Sequence, residues 1–206
     1  MDQSGSNGAF LPALLLNPHL EFFTDGKSTT VTTGSMQGHR RTMEDAHSIV
    51  FRGHRSFVGL YDGHAGSELP LALKRELGDA ILSLSDPSDA KMQKDVLEKL
   101  DEKARIEFQY KDRDPGSTIT MTVLEPQPNG LIKVTFSHVG DSRIVAFRPS
   151  TGEILYASVD HVPSMQEERD RIEKAGQVVI RNRVAGILSM SRAFGDHSLK
   201  MEKNVP

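Results

Sequence analysis

Apolar and polar positions alternate with a strand period at both ends of the chain and with a helical period between them. Residues 31–61 carry three strand-like runs, the last two being Ala46–Arg52 and Ser56–Tyr61, with Gly53-His54-Arg55 suited to a tight connection between them. From Ser67 the spacing changes. Leu69, Leu71-Ala72-Leu73, Leu77, Ala80-Ile81-Leu82 and Leu84 give a mostly helical spacing, and Pro70 suits a first turn, where its missing N–H costs nothing. Asp86-Pro87-Ser88 interrupts, and a second helix is predicted from about Asp89 to Tyr110, with Leu97, Leu100, Ala104 and Phe108 as its apolar stripe. Strand patterns return over Ser117–Leu124 and Leu131–Val139, joined by the turn Pro126–Gly130, and again over Ser142–Arg148 and Glu153–Val159. A short helix is predicted to begin near Pro163–Glu167 and to end at Gly176, a suitable C′ glycine, before a last strand over Gln177–Val184. Strands, then helices, then strands predict an α+β fold, with helices segregated from antiparallel sheets.

Composition narrows this picture modestly. The 206 residues suit one domain with an N-terminal extension, and a net charge of −3 gives no basic footprint, so nucleic acid is not an expected partner. The absence of cysteine excludes disulfides and thiolate metal sites. No apolar stretch approaches the roughly 18 residues needed to span a bilayer, so no membrane partner is expected. Ala9–Leu16 has the look of a short signal core, but it lacks a positive n-region and Pro12 interrupts it. Residues 1–30 are therefore expected to be a flexible, partly apolar arm, and 31–206 the folded domain. The expected location is the cytoplasm, with the nucleus also open.

The candidate chemistry lies in residues 38–64. Glu44 and Asp45 open one strand-like run and Asp62-Gly63-His64 closes the next, so pairing the two runs brings three carboxylates together. Carboxylates crowded in a dry site need a counter-charge, and a hard divalent cation with oxygen ligands is the usual one. Glycine after Asp62 allows the backbone carbonyl of residue 63 to face such an ion. Glu44 and Asp45 are neighbours on a strand edge and point to opposite faces.

These residues also carry a family resemblance. Arg40-x-x-Met43-Glu44-Asp45 and Asp62-Gly63-His64-x-Gly66 resemble the opening of the metal-dependent serine/threonine phosphatases of type 2C. Gly116-Ser117-Thr118, Val139-Gly140-Asp141-Ser142-Arg143, Asp160-His161-x-Pro163, Glu168-x-x-Arg171-Ile172-x-x-Ala175-Gly176 and Ser191-Arg192-Ala193-x-Gly195-Asp196 follow in the family order, over roughly residues 33–200. The resemblance implies a β-sandwich flanked by helix pairs and a site holding two Mg²⁺ or Mn²⁺ ions. It makes Asp62 a bridging ligand and residue 63 a carbonyl ligand. Glu44 and Asp45 would hold metal-bound waters, with Glu44 closer to the metals. Asp141 is implied as a second-shell or third-metal residue, with capping of its own turn the alternative. Arg40 aligns with the phosphate-binding arginine, in preference to the adjacent Arg41. His64 becomes the general acid that protonates the leaving alkoxide of phosphoserine or phosphothreonine. His138, His161, Ser117, Thr118, Ser191 and Arg192 read as structural, and Asp196 as a turn residue that could reach the site.

One departure matters. The family continues with an Asp-Gly strand and later an Asp-Asn pair, and residues 197–206 contain no equivalent. The final sandwich strands are therefore expected to be missing from this chain, with a C-terminal segment as the partner that would complete the domain. Two functions follow. The first is a Mg²⁺/Mn²⁺-dependent protein phosphatase acting on phosphoproteins, and the second is a catalytically inactive phosphatase-like module that binds partners.

Overall fold

In a computed structural model, residues 19–24, 29–108 and 113–200 are described. The chain divides into two compact units, Met1–Met43 and Glu44–Pro206. In the first, β1 (His19–Thr24) pairs antiparallel with β2 (Thr30–Ser35). Of the expected N-terminal arm, residues 1–18 and 25–28 lie outside the described residues.

The second unit is built around one long central strand. β3 (Asp45–Arg52) and β4 (Arg55–His64) form a hairpin closed by Gly53 and His54, with Arg52 opposite Arg55. On its other edge β4 pairs with β6 (Ile119–Pro126) and, at its end, with β5 (Gly116–Ser117). β7 (Ile132–Val139) extends the sheet beyond β6, and β12 (Phe194–Gly195) extends it beyond β5. The result is a six-stranded antiparallel sheet. Phe57, Tyr61, Ile119, Met121 and Val123 share one face of it and are fully or almost fully buried.

The helices cover that face. α1 (Glu68–Leu82) buries Leu69, Leu73, Leu77 and Ile81, spaced by one turn each, against these residues. α2 (Ala90–Phe108) adds Ala104 and the flanking Leu97, Leu100 and Phe108. The α2 stripe is the predicted one, whereas in α1 four of a wider set of apolar positions take the buried face and Leu71 is left exposed. Among the described residues no helix is long and apolar enough to cross a membrane. One polar position also lies inside α2. Gln93 is buried, donating to the Pro87 carbonyl at 2.6 Å and accepting from Ser137 Oγ at 2.6 Å, which ties the helix to β7.

On the opposite face the second layer is small. β8 (Val145–Phe147) and β9 (Ile154–Ala157) form a separate hairpin, and Tyr156 stacks on Phe136 of β7 with ring centroids 4.8 Å apart. Both strands are shorter than their apolar runs predict. Their flanks still meet, but partly through side chains: the Ser158 N–H donates to the Ile144 carbonyl at 2.9 Å while the Ile144 N–H turns to Ser158 Oγ, and Arg143 forms a bidentate pair with Asp160.

α3 (Gln166–Lys174) ends at Gly176 as expected. There φ is +86°, and the N–H groups of Gly176 and Gln177 donate to the carbonyls of Glu173 and Ile172. The single strand expected over Gln177–Val184 is instead a two-residue hairpin, β10 (Val179–Ile180) and β11 (Arg183–Val184). Arg181 and Asn182 both take positive φ, the geometry of a tight I′ turn, which folds the run back on itself. The α+β class, with antiparallel sheets and segregated helices, is the observed one.

Candidate active site

The β3–β4 register puts Asp45 directly opposite Asp62, and directly opposed residues share a sheet face. This places the two carboxylates side by side at the open end of the hairpin. On the other edge of β4, the Thr118 N–H donates to the Asp62 carbonyl at 2.9 Å and the Asp62 N–H donates to Thr118 Oγ1 at 3.1 Å. Thr118 Oγ1 also shares a 2.7 Å hydrogen bond with Ser142 Oγ, which draws the 140–142 turn, and Asp141 with it, to the end of β4. Thr118 is thus structural, as its sequence context suggests, but the structure it supports is the acidic cluster itself.

Electrostatics record the crowding. The Asp62 carboxyl is raised above the ordinary carboxylate range by burial first, then by the charges of Asp45 and Asp141 and a hydrogen bond with Asp45, with His64 opposing. The adjacent acids divide between two partners: Asp45 shares the hydrogen bond with Asp62, whereas Glu44 acts on His64. The Glu44 carbonyl accepts the Gly63 N–H at 3.2 Å. A Cβ on Gly63 would lie 2.2 Å from Pro70 Cγ and 2.5 Å from the Glu44 carbonyl, so packing of α1 and β3 already demands glycine there.

His64 follows two residues later on the face of Asp62. Its Nε2 lies 2.7 Å from Asp196 Oδ1 and 2.9 Å from Oδ2. Burial alone would lower the imidazole pKa, but the hydrogen bond and charge of Asp196, followed by Asp62 and Glu44, raise it above the usual value. Asp196 is buried, with φ +50°, and its N–H donates to the Pro115 carbonyl at 3.0 Å. The favoured sequence reading of Asp196 as a turn residue is therefore incomplete: it occupies a turn and also grips His64. Only the Asp at the end of the Ser191–Asp196 block hinted at this, because 132 residues separate the partners.

Arg40 belongs to the first unit, where its N–H donates to the Gln37 carbonyl at 3.4 Å and its own carbonyl accepts Gln37 Nε2 at 2.9 Å. A second charged cluster lies apart from the predicted residues. Glu168 on α3 is buried and accepts from Arg171, Arg192 and Ser191. Burial would raise its pKa, yet these three partners hold it far below the ordinary range. His138 and His161 stack with centroids 4.5 Å apart, and the Gly140 N–H donates to His161 Nδ1 at 3.2 Å, a structural use of both rings.

A hard cation suits the donor chemistry of Asp45, Asp62 and Asp141, because it would relieve the like-charge crowding that raises Asp62. Among the described residues, however, no group of three or more His, Cys, Asp or Glu side chains converges closely enough to hold an ion on its own.

The family model described as "Protein phosphatase 2C" matches residues 29–206. "Probable protein phosphatase 2C 11" of Arabidopsis thaliana is 38% identical over 175 residues, covering 81% of this chain and 45% of that protein. "Protein phosphatase 2C 1" of Paramecium tetraurelia is 34% identical over 199 residues, covering 87% and 63%. A crystal structure of a phosphatase from Toxoplasma gondii superposes with a TM-score of 0.70 at 24% identity, over 81% of this chain and 64% of that one. The chain thus spans between 45% and 63% of the length of these two curated relatives.

Proposed function

The chain belongs to the protein phosphatase 2C family, and from that premise we propose that it carries the acidic part of a metal-dependent site hydrolysing phosphoserine and phosphothreonine in proteins. The observation that carries the proposal is the pairing of the Asp45 and Asp62 carboxylates at one end of β4, within reach of the charges of Asp141 and His64.

Asp62 is proposed as the principal ligand of two Mg²⁺ or Mn²⁺ ions together with the carbonyl of Gly63, with Glu44 and Asp45 holding waters on them and Asp141 supporting the same site or a third ion. When bound, such ions supply Lewis-acid activation of water and positive charge toward the phosphoryl oxygens. The remaining chemistry belongs to side chains. Arg40 is proposed, on family register alone, to bind two phosphoryl oxygens through its planar fork. His64 gives a proton to the leaving oxygen, which departs poorly as a bare alkoxide. No protein nucleophile is needed. Ser117 Oγ donates to the Thr118 carbonyl at 2.8 Å and Thr118 Oγ1 is held by Ser142 and the Asp62 N–H, so both hydroxyls near Asp62 serve the backbone.

A second reading, an inactive module that binds phosphoproteins, is favoured by the lack of a convergent three-ligand group among the described residues. Phosphopeptide turnover by the purified chain, measured with Mn²⁺ and with excess chelator, separates the two. Metal-dependent turnover supports the phosphatase, phosphopeptide binding without turnover supports the module, and equal turnover in chelator removes the metal mechanism.

A further inference from the structure

The strand lying between His64 and Asp196 has no side chain at the crossing. Gly116 of β5 stands opposite His64 of β4 on one edge and opposite Gly195 of β12 on the other. Asp196, immediately after this row, reaches back over Gly116 to the imidazole. A Cβ at Gly116 would lie 2.3 Å from both His64 Nε2 and Asp196 Oδ2, so the slot admits only glycine.

The residues around Asp196 are clamped on both sides. The Gly195 N–H donates to Asp101 Oδ1 at 2.7 Å, and the N–H groups of His197 and Ser198 donate to the two carboxylate oxygens of Asp114 at 2.9 and 2.7 Å. Asp196 itself holds a left-handed backbone conformation, which is unfavourable for a non-glycine residue and persists where the surroundings impose it.

The two ring nitrogens are therefore unequal. A carboxylate only accepts, so Nε2 carries the hydrogen that faces Asp196. Nδ1 is buried and has no hydrogen-bond partner. Buried nitrogens of purely structural side chains are nearly always paired, and an exception calls for a functional explanation. Here the open nitrogen belongs to a ring influenced by the carboxylates of Asp62 and Glu44.

We propose that Asp196 is the positioning residue of His64: it fixes the Nε2–H form of the ring and makes Nδ1 the nitrogen that serves the leaving oxygen of the phosphoester. This rests on the phosphatase reading above. As the bond from phosphorus to the leaving oxygen breaks, the proton passes from Nδ1 to that oxygen and the N–H electron pair returns to Nδ1. The ring is left neutral, with its remaining hydrogen on Nε2 against Asp196. The oxygen of the attacking water forms the new bond to phosphorus. One of its hydrogens stays on the hydrogenphosphate product, and the other returns to Nδ1 through solvent.

Two measurements on the full 206-residue chain test the assignment. In ¹⁵N-histidine spectra, neutral His64 is expected as the Nε2–H tautomer. Asp196→Asn, whose amide can donate to Nε2, should shift it toward Nδ1–H, and Gly116→Ala should release it by driving the pair apart. With Mn²⁺ and a phosphoserine peptide, Asp196→Asn should lower kcat by about 10- to 100-fold and change KM little, with a smaller loss on an aryl phosphate. In a His64→Ala background the same substitution should cost nothing further. A wild-type Nδ1–H tautomer, a tautomer unmoved in Asp196→Asn, or fully additive losses would overturn the proposal. A wild-type chain inactive on every phosphoester would count against the phosphatase reading instead, and the tautomer would then decide the role of Asp196.

Discussion

Asp62 is the residue on which the candidate site turns, because its neighbours on three sides are charged. Asp45 faces it across the hairpin, Asp141 arrives with the turn that Thr118 holds, and His64 follows on the same face. A cation bound among these groups gains most from the carboxylate at their centre. Asp62→Asn is therefore expected to weaken Mn²⁺ binding by at least about tenfold, and by more than Asp141→Asn does. Calorimetric titration of Mn²⁺ into the two variants decides this, and equal losses would remove the reason for ranking Asp62 first. In the metal-free chain Asp62 also has its own pH signature. Its folded-state pKa is raised, so the folded chain takes up this proton before the unfolded chain does. Its contribution to stability therefore improves as pH falls toward its ordinary value of 3.8.

At the scale of elements, a cluster of charged hydrogen bonds outside the core joins α3 to the segment leading into β12. Glu168 accepts from Arg192 at 2.6 Å, from Arg171 at 2.8 Å and from Ser191 Oγ at 2.6 Å, and Arg171 also donates to the Ser191 carbonyl. The carboxylate is buried whereas both guanidinium groups remain about half exposed, so loss of Glu168 strands no buried charge. Glu168→Gln is expected to cost about 1–3 kcal/mol, or roughly 2–12 °C in Tm for a chain of this size. The pH dependence carries the opposite sign to that of Asp62. A depressed folded-state pKa gives stability that is present above 4.5 and lost as pH falls through the folded value. Thermal melts of wild type and Glu168→Gln between pH 7 and pH 3 should converge as pH falls; a constant difference would show that the charge of Glu168 is not what matters.

Across the whole molecule, apolar surface is unevenly covered. The helix face of the six-stranded sheet is sealed, while on the small β8–β9 layer Val145 is 49%, Phe147 57%, Ile154 65% and Leu155 56% exposed. Exposed apolar side chains of this kind drive association, and a net charge of −3 offers little repulsion against it. The 206-residue chain is expected to bind a hydrophobic dye and to self-associate at concentrations in the tens of micromolar. Phe147→Lys combined with Ile154→Glu should reverse both. Sedimentation velocity showing a dye-negative monomer for the unmodified chain would contradict this.

What the sequence determined alone was whatever depends on neighbours within a few residues. The stripe of Leu97, Leu100, Ala104 and Phe108 specifies the face that α2 turns to the core, because a 3.6-residue period leaves one arrangement that hides it. Gly176 also announced the end of α3. The nearness of the acids at the end of the β3–β4 hairpin was legible too. The register that sets Asp45 opposite Asp62 was not, because the loop is Gly53 and His54 alone rather than the three residues 53–55. Local pattern misled where one apolar run had two options, as in Gln177–Val184, whose period suits a single strand until Arg181 and Asn182 adopt positive φ. The grip of Asp196 on His64, the Glu168 cluster and the delivery of Asp141 by Thr118 and Ser142 depended on tertiary structure. Each joins segments far apart in the chain, through the pairing of β12 with β5 or through single side-chain hydrogen bonds. Such contacts leave no periodic trace, because their partners are set by where the sheet and helices finish packing rather than by the spacing of residues along the chain.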